Sequence, residues 1–452
     1  MIIKRIIYGF FIFLLAILLV VGIYFNSLLP IITGYAAKNL CSAVFVSGRK
    51  PLNIEAIDLN FSFIKFTKNR VNYVERSVTS RFLWGSSKAI YRDGFGVTLL
   101  RDIEEETLRE MKFPAGTRPG YSRDTIPWPL GDMISETDPA GIDKTELDKI
   151  TKMIMADTGY NGNAFAFMVL HKGIPVAEAY KPEFDHSTRF LSWSMAKSFT
   201  NALVGILAGQ GRMKIEAPAG IKEWAGDERN SITLNDLMQM QSGLKWNEDY
   251  GNRSDVTLML HCKSDMAKYA YERPVAYPAG THWYYSSGTT NIITYLIRQQ
   301  FGNDDMYYSF VYNELFNRIG MPDAVFEADP AGTLVGSSYL YATARDYARF
   351  ALLFQGDGVF NGERILPEGW VDYTKSEASG SSGEYGALFW LNKGKKLPSV
   401  PEDMYMCVGH DGQRIFIIPS EQIIVVVLGY SPQSNGGMDF DRLLKDILDT
   451  LN

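Results

Sequence analysis

The sequence predicts an α/β fold: an antiparallel sheet flanked by helices, with a mostly helical domain inserted at about 226–330 and a single N-terminal transmembrane helix in front. Three observations lead there. Strand-like text stands at both ends of the main unit, at 164–180 and 413–428, with helix-like text between them, so the C-terminus completes a sheet that the N-terminal end begins. Apolar residues recur at helical spacing from Met195 to Leu207 (Met195, Phe199, Leu203, Ile206, Leu207), and Gly209 and Gly211 close that run. Ile6–Phe25 is an unbroken stretch dominated by Ile, Leu, Val and Phe, with no charge between Arg5 and Lys38.

Taken in order, Ile6–Phe25 matches the hydrocarbon core of a bilayer, roughly 30 Å thick, in length. Lys4 and Arg5 precede it, which by the positive-inside rule puts the N-terminus in the cytoplasm and the bulk of the chain outside. The expectation is a single-pass, membrane-anchored protein with an extracytoplasmic body, periplasmic in a Gram-negative cell. A cleaved signal peptide is the alternative; its apolar core is usually shorter, and Tyr24-Phe25-Asn26-Ser27 is a poor small-residue cleavage site. Residues 26–50 read as a linker. From 51 to about 110 the text is strand-like, with Phe61–Phe66, Val71–Leu83 and Ala89–Leu100 as candidates and turn signals at Gly85 and Asp93-Gly94. Whether 51–113 is an interaction module or part of the main fold stays open. Residues 114–140, rich in Pro, Gly and Asp, read as a long surface segment. The expected division is an anchor at 1–25, a linker and strand-rich extension at 26–140, and the main unit at 141–452.

Within the main unit, Asp143–Met155 reads as a helix. Ala164–Leu170 and Ile174–Tyr180 form a hairpin around His171-Lys-Gly173. Residues 232–330 are mostly helical. Gln413–Pro419 and Gln422–Leu428 are two buried strands, and Met438–Leu451 is a last helix with Phe440, Leu443, Leu444, Ile447, Leu448 and Leu451 on one face.

Composition narrows the function. The chain has 452 residues, 46% hydrophobic, enough for a large core and more than one domain. A net charge of −6, without a basic cluster, argues against a nucleic-acid partner. The cysteines (Cys41, Cys262, Cys407) are too few for a disulfide framework, and the five histidines lack ligand spacing. No metal and no cofactor are expected.

The chemistry centres on Ser194-Met-Ala-Lys197. Residues three apart share a helix face, so the Lys197 amine can reach the Ser194 hydroxyl and take its proton. At a helix N-terminus, Ser194 would also have free N–H groups and the helix dipole beside a developing oxyanion. Ser-x-x-Lys alone is weak, since it also starts at Ser47, Ser62 and Ser242. A second element is Pro278-Ala-Gly-Thr-His-Trp-Tyr-Tyr285-Ser-Ser287. A lysine ammonium nearby would lower the pKa of Tyr285 and let it serve as base and then acid. Alone, it reads as one packed tyrosine of 25. The third is Val408-Gly-His410-Asp-Gly412-Gln413, leading into a strand. Its glycine would let substrate approach the strand edge, and the next N–H can face an oxyanion. Alone, it is an ordinary turn.

In this order the three elements resemble the serine β-lactamase/penicillin-recognising superfamily over about 140–452. Asp236–Gln241, Asn247–Tyr250, Tyr285-Ser-Ser287, Ala342–Arg349 and Gly409–Gln413 make the chain look most like the class C type and its esterase and amidase relatives, in particular 6-aminohexanoate-dimer hydrolases. The resemblance implies a β-lactamase/transpeptidase-like fold and an acyl-enzyme on Ser194. Lys197 and Tyr285 would be the proton-transfer pair, and the N–H groups of Ser194 and Gln413 the oxyanion hole. Tyr250, Ser287, His410, Asp411 and Gly412 would be substrate-binding residues. Two departures stand out. His410-Asp411-Gly412 replaces the usual Lys-Thr-Gly, which removes a fixed cation for a β-lactam carboxylate. Ser287 stands where class C enzymes carry Asn. Both favour a small ester or amide over a β-lactam. The alternatives are a penicillin-binding peptidase or β-lactamase, and a non-catalytic receptor or scaffold on the same fold.

Overall fold

A computed structural model describes residues 2–118, 122–134 and 141–451. The chain opens with one long helix, α1 (Ile2–Phe45). Its first half is exposed and apolar from Ile6 to Tyr24, and it is the one helix among the described residues long and apolar enough to cross a membrane. Its second half is buried, and this corrects the expected linker at 26–50. Ala36, Ala37, Leu40 and Cys41 lie on one face and are fully buried. They pack on an antiparallel four-stranded sheet of β1 (Lys68–Asn72), β2 (Ser77–Phe82), β3 (Gly85–Arg92) and β4 (Gly96–Leu99). Small residues let the helix approach the sheet closely, and such a mixed stretch carries little hydrophobic signal by itself.

Two further expectations in this region change. Phe61–Phe66 is no strand: Ile64–Phe66 is a short 3-10 turn in which only Ile64 is buried, and among the described residues no strand pairs with it. The described part of 114–134 is not a mere surface segment, because Arg123 is buried against the main unit and pairs with Asp346 and the half-buried Asp132. The stretches 119–121 and 135–140 of that segment lie outside the described residues.

The main unit starts with α2 (Lys144–Met155), capped by Asp143, then the hairpin β5 (Ala164–His171) and β6 (Ile174–Tyr180). Three short strands, β7 (Phe190–Leu191), β8 (Val325–Phe326) and β9 (Leu340–Ala342), form a small sheet beside it in the order β7-β9-β8. Helices fill the interval: α3 (Ala196–Gly209), α4 (Asp255–Cys262), α5 (Ser287–Arg298) and α6 (Ala344–Gln355). The chain returns through β10 (Trp390–Leu391), β11 (Tyr405–Val408), β12 (Arg414–Ile418) and β13 (Ile423–Gly429), and ends in α7 (Phe440–Leu448).

The large sheet runs β10-β11-β12-β13-β5-β6, all antiparallel, so the C-terminal strand β13 pairs with β5 as the sequence predicts. Both faces are covered. Phe167 and Val169 point to a core shared with α2 and α7, while Ala166, Met168 and Leu170 point to the core under α3 and α6. Burial on both sides explains why β5 and β13 read as continuous apolar runs.

Buried ion pairs tie the pieces together. Lys38 of α1 is paired with Glu327, just after β8, and Glu327 also accepts from Ser42 Oγ (3.0 Å) and Val97 N (2.7 Å). The N-terminal region is thus part of the main fold. Arg349 of α6 is wholly buried between Asp346 (3.0 Å) and Asp132 (2.6 Å), and Arg123 joins Asp346 at 2.7 Å.

Candidate active site

Ser194 sits where β7 turns into α3. Trp193–Met195 is a 3-10 turn, and Trp193 has φ 45°, a left-handed conformation that a bulky side chain rarely adopts. Its carbonyl accepts from Ser192 Oγ at 2.8 Å, and Ser192 N donates to Leu340 O at 2.8 Å on β9. The turn is therefore clamped to the small sheet, and Ser194 stands half-exposed at the helix head.

One turn on, Lys197 is 1% exposed. Its Nζ donates to Ser194 Oγ (3.0 Å), Ser287 Oγ (3.0 Å) and Ser337 O (2.9 Å), which uses all three donors. Burial pulls its pKa down to about 8, opposed by the Glu248 carboxylate. A lysine so placed is neutral in about one molecule in ten at pH 7 and in about half at pH 8.

Tyr285 lies next to Ser286, the N-cap of α5, with its ring against Trp390 (5.3 Å between centroids) and Tyr385 (5.9 Å). Lys197 Nζ lies 4.8 Å from the ring centroid. Contrary to the sequence expectation, its pKa is raised. Burial is the main cause and Glu248 the second, while hydrogen bonding with Ser194 and the Arg414 charge pull the other way. Burial outweighs the Arg414 charge and the Ser194 hydroxyl, so Tyr285 is a neutral phenol at physiological pH.

Ser287 also departs from expectation. It is fully buried, and its hydroxyl bridges Lys197 and Glu248 in place of facing a substrate. Glu248 further accepts the Ser287 N–H at 2.9 Å and the Trp246 indole N–H. A continuous chain therefore runs Ser194–Lys197–Ser287–Glu248. The sequence reading passes over Glu248, although it falls inside Asn247–Tyr250; a carboxylate two residues before the cleft tyrosine is the signal that could have found it. Arg414 is the other residue missed. It donates to Gly409 O (2.7 Å) and Gln413 O (2.8 Å) beside Tyr285, and burial lowers its pKa to about 10.

Tyr250 and His410 form the opposite wall. The Tyr250 and Ser287 hydroxyls are 3.4 Å apart, and the Tyr250 ring stacks on His410 with centroids 5.1 Å apart. His410 meets Trp193 edge-on at 5.7 Å and keeps 45% of its side chain exposed. Asp411 differs: its side chain is only 8% exposed and borders a small pocket that Arg49, Asp58 and Tyr430 also line and that does not include Ser194. Gly412 has φ 91°, and a Cβ there would meet Ser431 at 2.9 Å. The glycine thus serves the turn's packing, not the approach of substrate. Gln413 N donates to His410 O at 3.4 Å, a long bond, while the Gln413 side chain clamps Gly429. Strand β11 packs directly against the Ser194 turn.

A family model described as Beta-lactamase matches residues 147–449. The 6-aminohexanoate-dimer hydrolase of Paenarthrobacter ureafaciens is 24% identical over 293 residues, covering 59% of this chain and 72% of that protein. Among solved structures, a protein assigned as a 6-aminohexanoate-dimer hydrolase from Bacillus anthracis superposes with a TM-score of 0.56 at 23% identity, covering 71% of this chain and 88% of its own. A penicillin-binding protein homologue from Caulobacter crescentus gives 0.55 at 15% identity, covering 70% and 100%.

Proposed function

The chain belongs to the beta-lactamase family, and from that premise we propose that it is a serine hydrolase acting through an acyl-enzyme on esters or amides, outside the cytoplasm. The observation that carries this is the buried Lys197 with its Nζ 3.0 Å from Ser194 Oγ and a pKa lowered to about 8. Neutral Lys197 takes the proton as Ser194 Oγ attacks the carbonyl. The oxyanion is met by the N–H groups of Ser194, at the head of α3, and Gln413, whose long bond to His410 O is easily exchanged. Tyr285, a phenol, hands its proton to the leaving group and is reprotonated from the Lys197 ammonium. Water then cleaves the acyl-enzyme by the reverse relay. Ser287 and Glu248 hold Lys197 in line, and Tyr250 and His410 wall the cleft.

A β-lactam is disfavoured, because the position of the usual fixed cation holds a half-exposed histidine 3.3 Å from Asp411. By analogy with the 6-aminohexanoate-dimer hydrolases, that dimer is the amide to assay beside simple esters. The extracytoplasmic location rests on the apolar helix preceded by Lys4 and Arg5. The test is labelling of the full-length chain by a fluorophosphonate and by a fluorescent penicillin, in wild type and Ser194→Ala. Fluorophosphonate labelling that vanishes in Ser194→Ala, without a stable penicillin adduct, is expected. Stable penicillin labelling would move the protein to the cell-wall peptidases.

A further inference from the structure

Between α1 and the Ser194 turn lies a cavity of about 400 Å³ that the catalytic relay leaves unused. One wall is a single face of α1, formed by Tyr24, Leu28, Ile31 and Tyr35 at helical spacing. Phe61 and Phe63 also line it, and so do Trp193, Tyr250 and His410, which border the Ser194 cleft. The groove starts at Tyr24, where the exposed apolar run ends, and reaches Tyr35, whose ring stacks on Trp193 with centroids 6.3 Å apart. Eleven residues of helix make this about 16 Å long, and Trp193 is the immediate neighbour of Ser194. Among the described residues, no Lys, Arg, Asp or Glu lines it. His261 on its wall is 2% exposed, and burial holds it neutral with a pKa lowered to about 3.

The outer end carries a second sign. Phe63, Phe66, Leu83 and Trp84 are all exposed around the point where α1 enters the body. The Trp84 indole donates to Asn26 at 2.8 Å, and Phe25 packs edge-on to Phe63 at 5.7 Å. Aromatic side chains in such a ring belong at the headgroup level of a bilayer. With α1 in the membrane, the groove opens at the bilayer surface.

We propose that the substrate is a membrane-resident amphiphile, an ester or amide whose acyl chain enters this groove laterally from the bilayer and presents its carbonyl to Ser194. The proposal rests on the serine hydrolase function above. Ser194 Oγ forms the new bond to the acyl carbon as the C–O or C–N bond breaks. The leaving alcohol or amine takes the proton passed on by Tyr285, and water releases the long-chain acid.

The experiment uses the full-length chain in phosphatidylcholine vesicles, with p-nitrophenyl palmitate dissolved in the same bilayer and p-nitrophenyl acetate in the water. The palmitoyl ester should be turned over faster than acetate by about tenfold or more. Its turnover should fall sharply when ester and protein are placed in separate vesicles. Ile31→Trp, which fills the groove, should cut the palmitate-to-acetate ratio by about tenfold; the comparison in wild type stands even where that variant does not fold. Acetate turnover without preference for the long chain, or equal turnover from separate vesicles, overturns the proposal and leaves the serine hydrolase intact. No turnover of either ester, with Ser194 unlabelled by a fluorophosphonate in folded protein, removes both.

Discussion

In the proposed mechanism, Lys197 fixes the pH behaviour of the site. Its pKa of about 8 means that the protonated, inactive form dominates below that pH and the neutral base above it. The rate of Ser194 acylation should therefore rise with pH through a midpoint near 8. It should show no falling limb just above, because Tyr285 is held as a phenol to well above its ordinary value. A stopped-flow pH profile of fluorophosphonate labelling checks both points. Lys197→Arg keeps the charge but cannot lose it, and should slow acylation by about 10²–10⁴-fold. Tyr285→Phe should cost a comparable factor in ester turnover without moving the midpoint, since the midpoint belongs to Lys197. The Ser194–Lys197 pair was legible because helix geometry alone brings positions three apart together. The state of Tyr285 was not, because it depends on Tyr385 and Trp390, a hundred residues away in sequence. Glu248 escaped notice for the same reason: its meaning comes from Ser287 and, through it, Lys197.

At the level of elements, the site is the meeting of two turns. A Cβ on Gly409 would lie 2.2 Å from the Ser192 carbonyl, which the clamp to β9 cannot easily yield. Gly409→Ala should push the His410–Gln413 turn away from Ser194 and lower acylation by about 10²-fold, with near-native circular dichroism. The strands of the large sheet were legible from β5, β12 and β13 because burial on both faces leaves long apolar runs. The second half of α1 was not, since its small residues gain their meaning from the sheet they touch. Its anchor, the buried Lys38–Glu327 pair, is equally invisible at a separation of 289 residues. Lys38→Met should leave Glu327 buried without its cation and destabilise the fold by about 3–5 kcal/mol, measurable by denaturant titration.

For the whole molecule, the apolar stretch of span length and the body behind it share α1, so the chain cannot be cut inside the expected 26–50 linker without removing part of the fold. A chain starting at 26 should stay folded and resist protease. One starting at 46 loses the buried face of Ala36, Ala37, Leu40 and Cys41 and should be degraded. In the proposed membrane orientation, this continuity sets the Ser194 cleft close to the bilayer. All of it depends on Ser194 being the nucleophile, and the most direct measurement is peptide mass mapping of the full-length chain after fluorophosphonate treatment. The adduct should lie on the peptide containing Ser194, at a rate that rises with pH to a midpoint near 8, and should be absent from a folded Ser194→Ala variant. A folded wild type that takes no adduct, or an adduct that persists in Ser194→Ala, would contradict it.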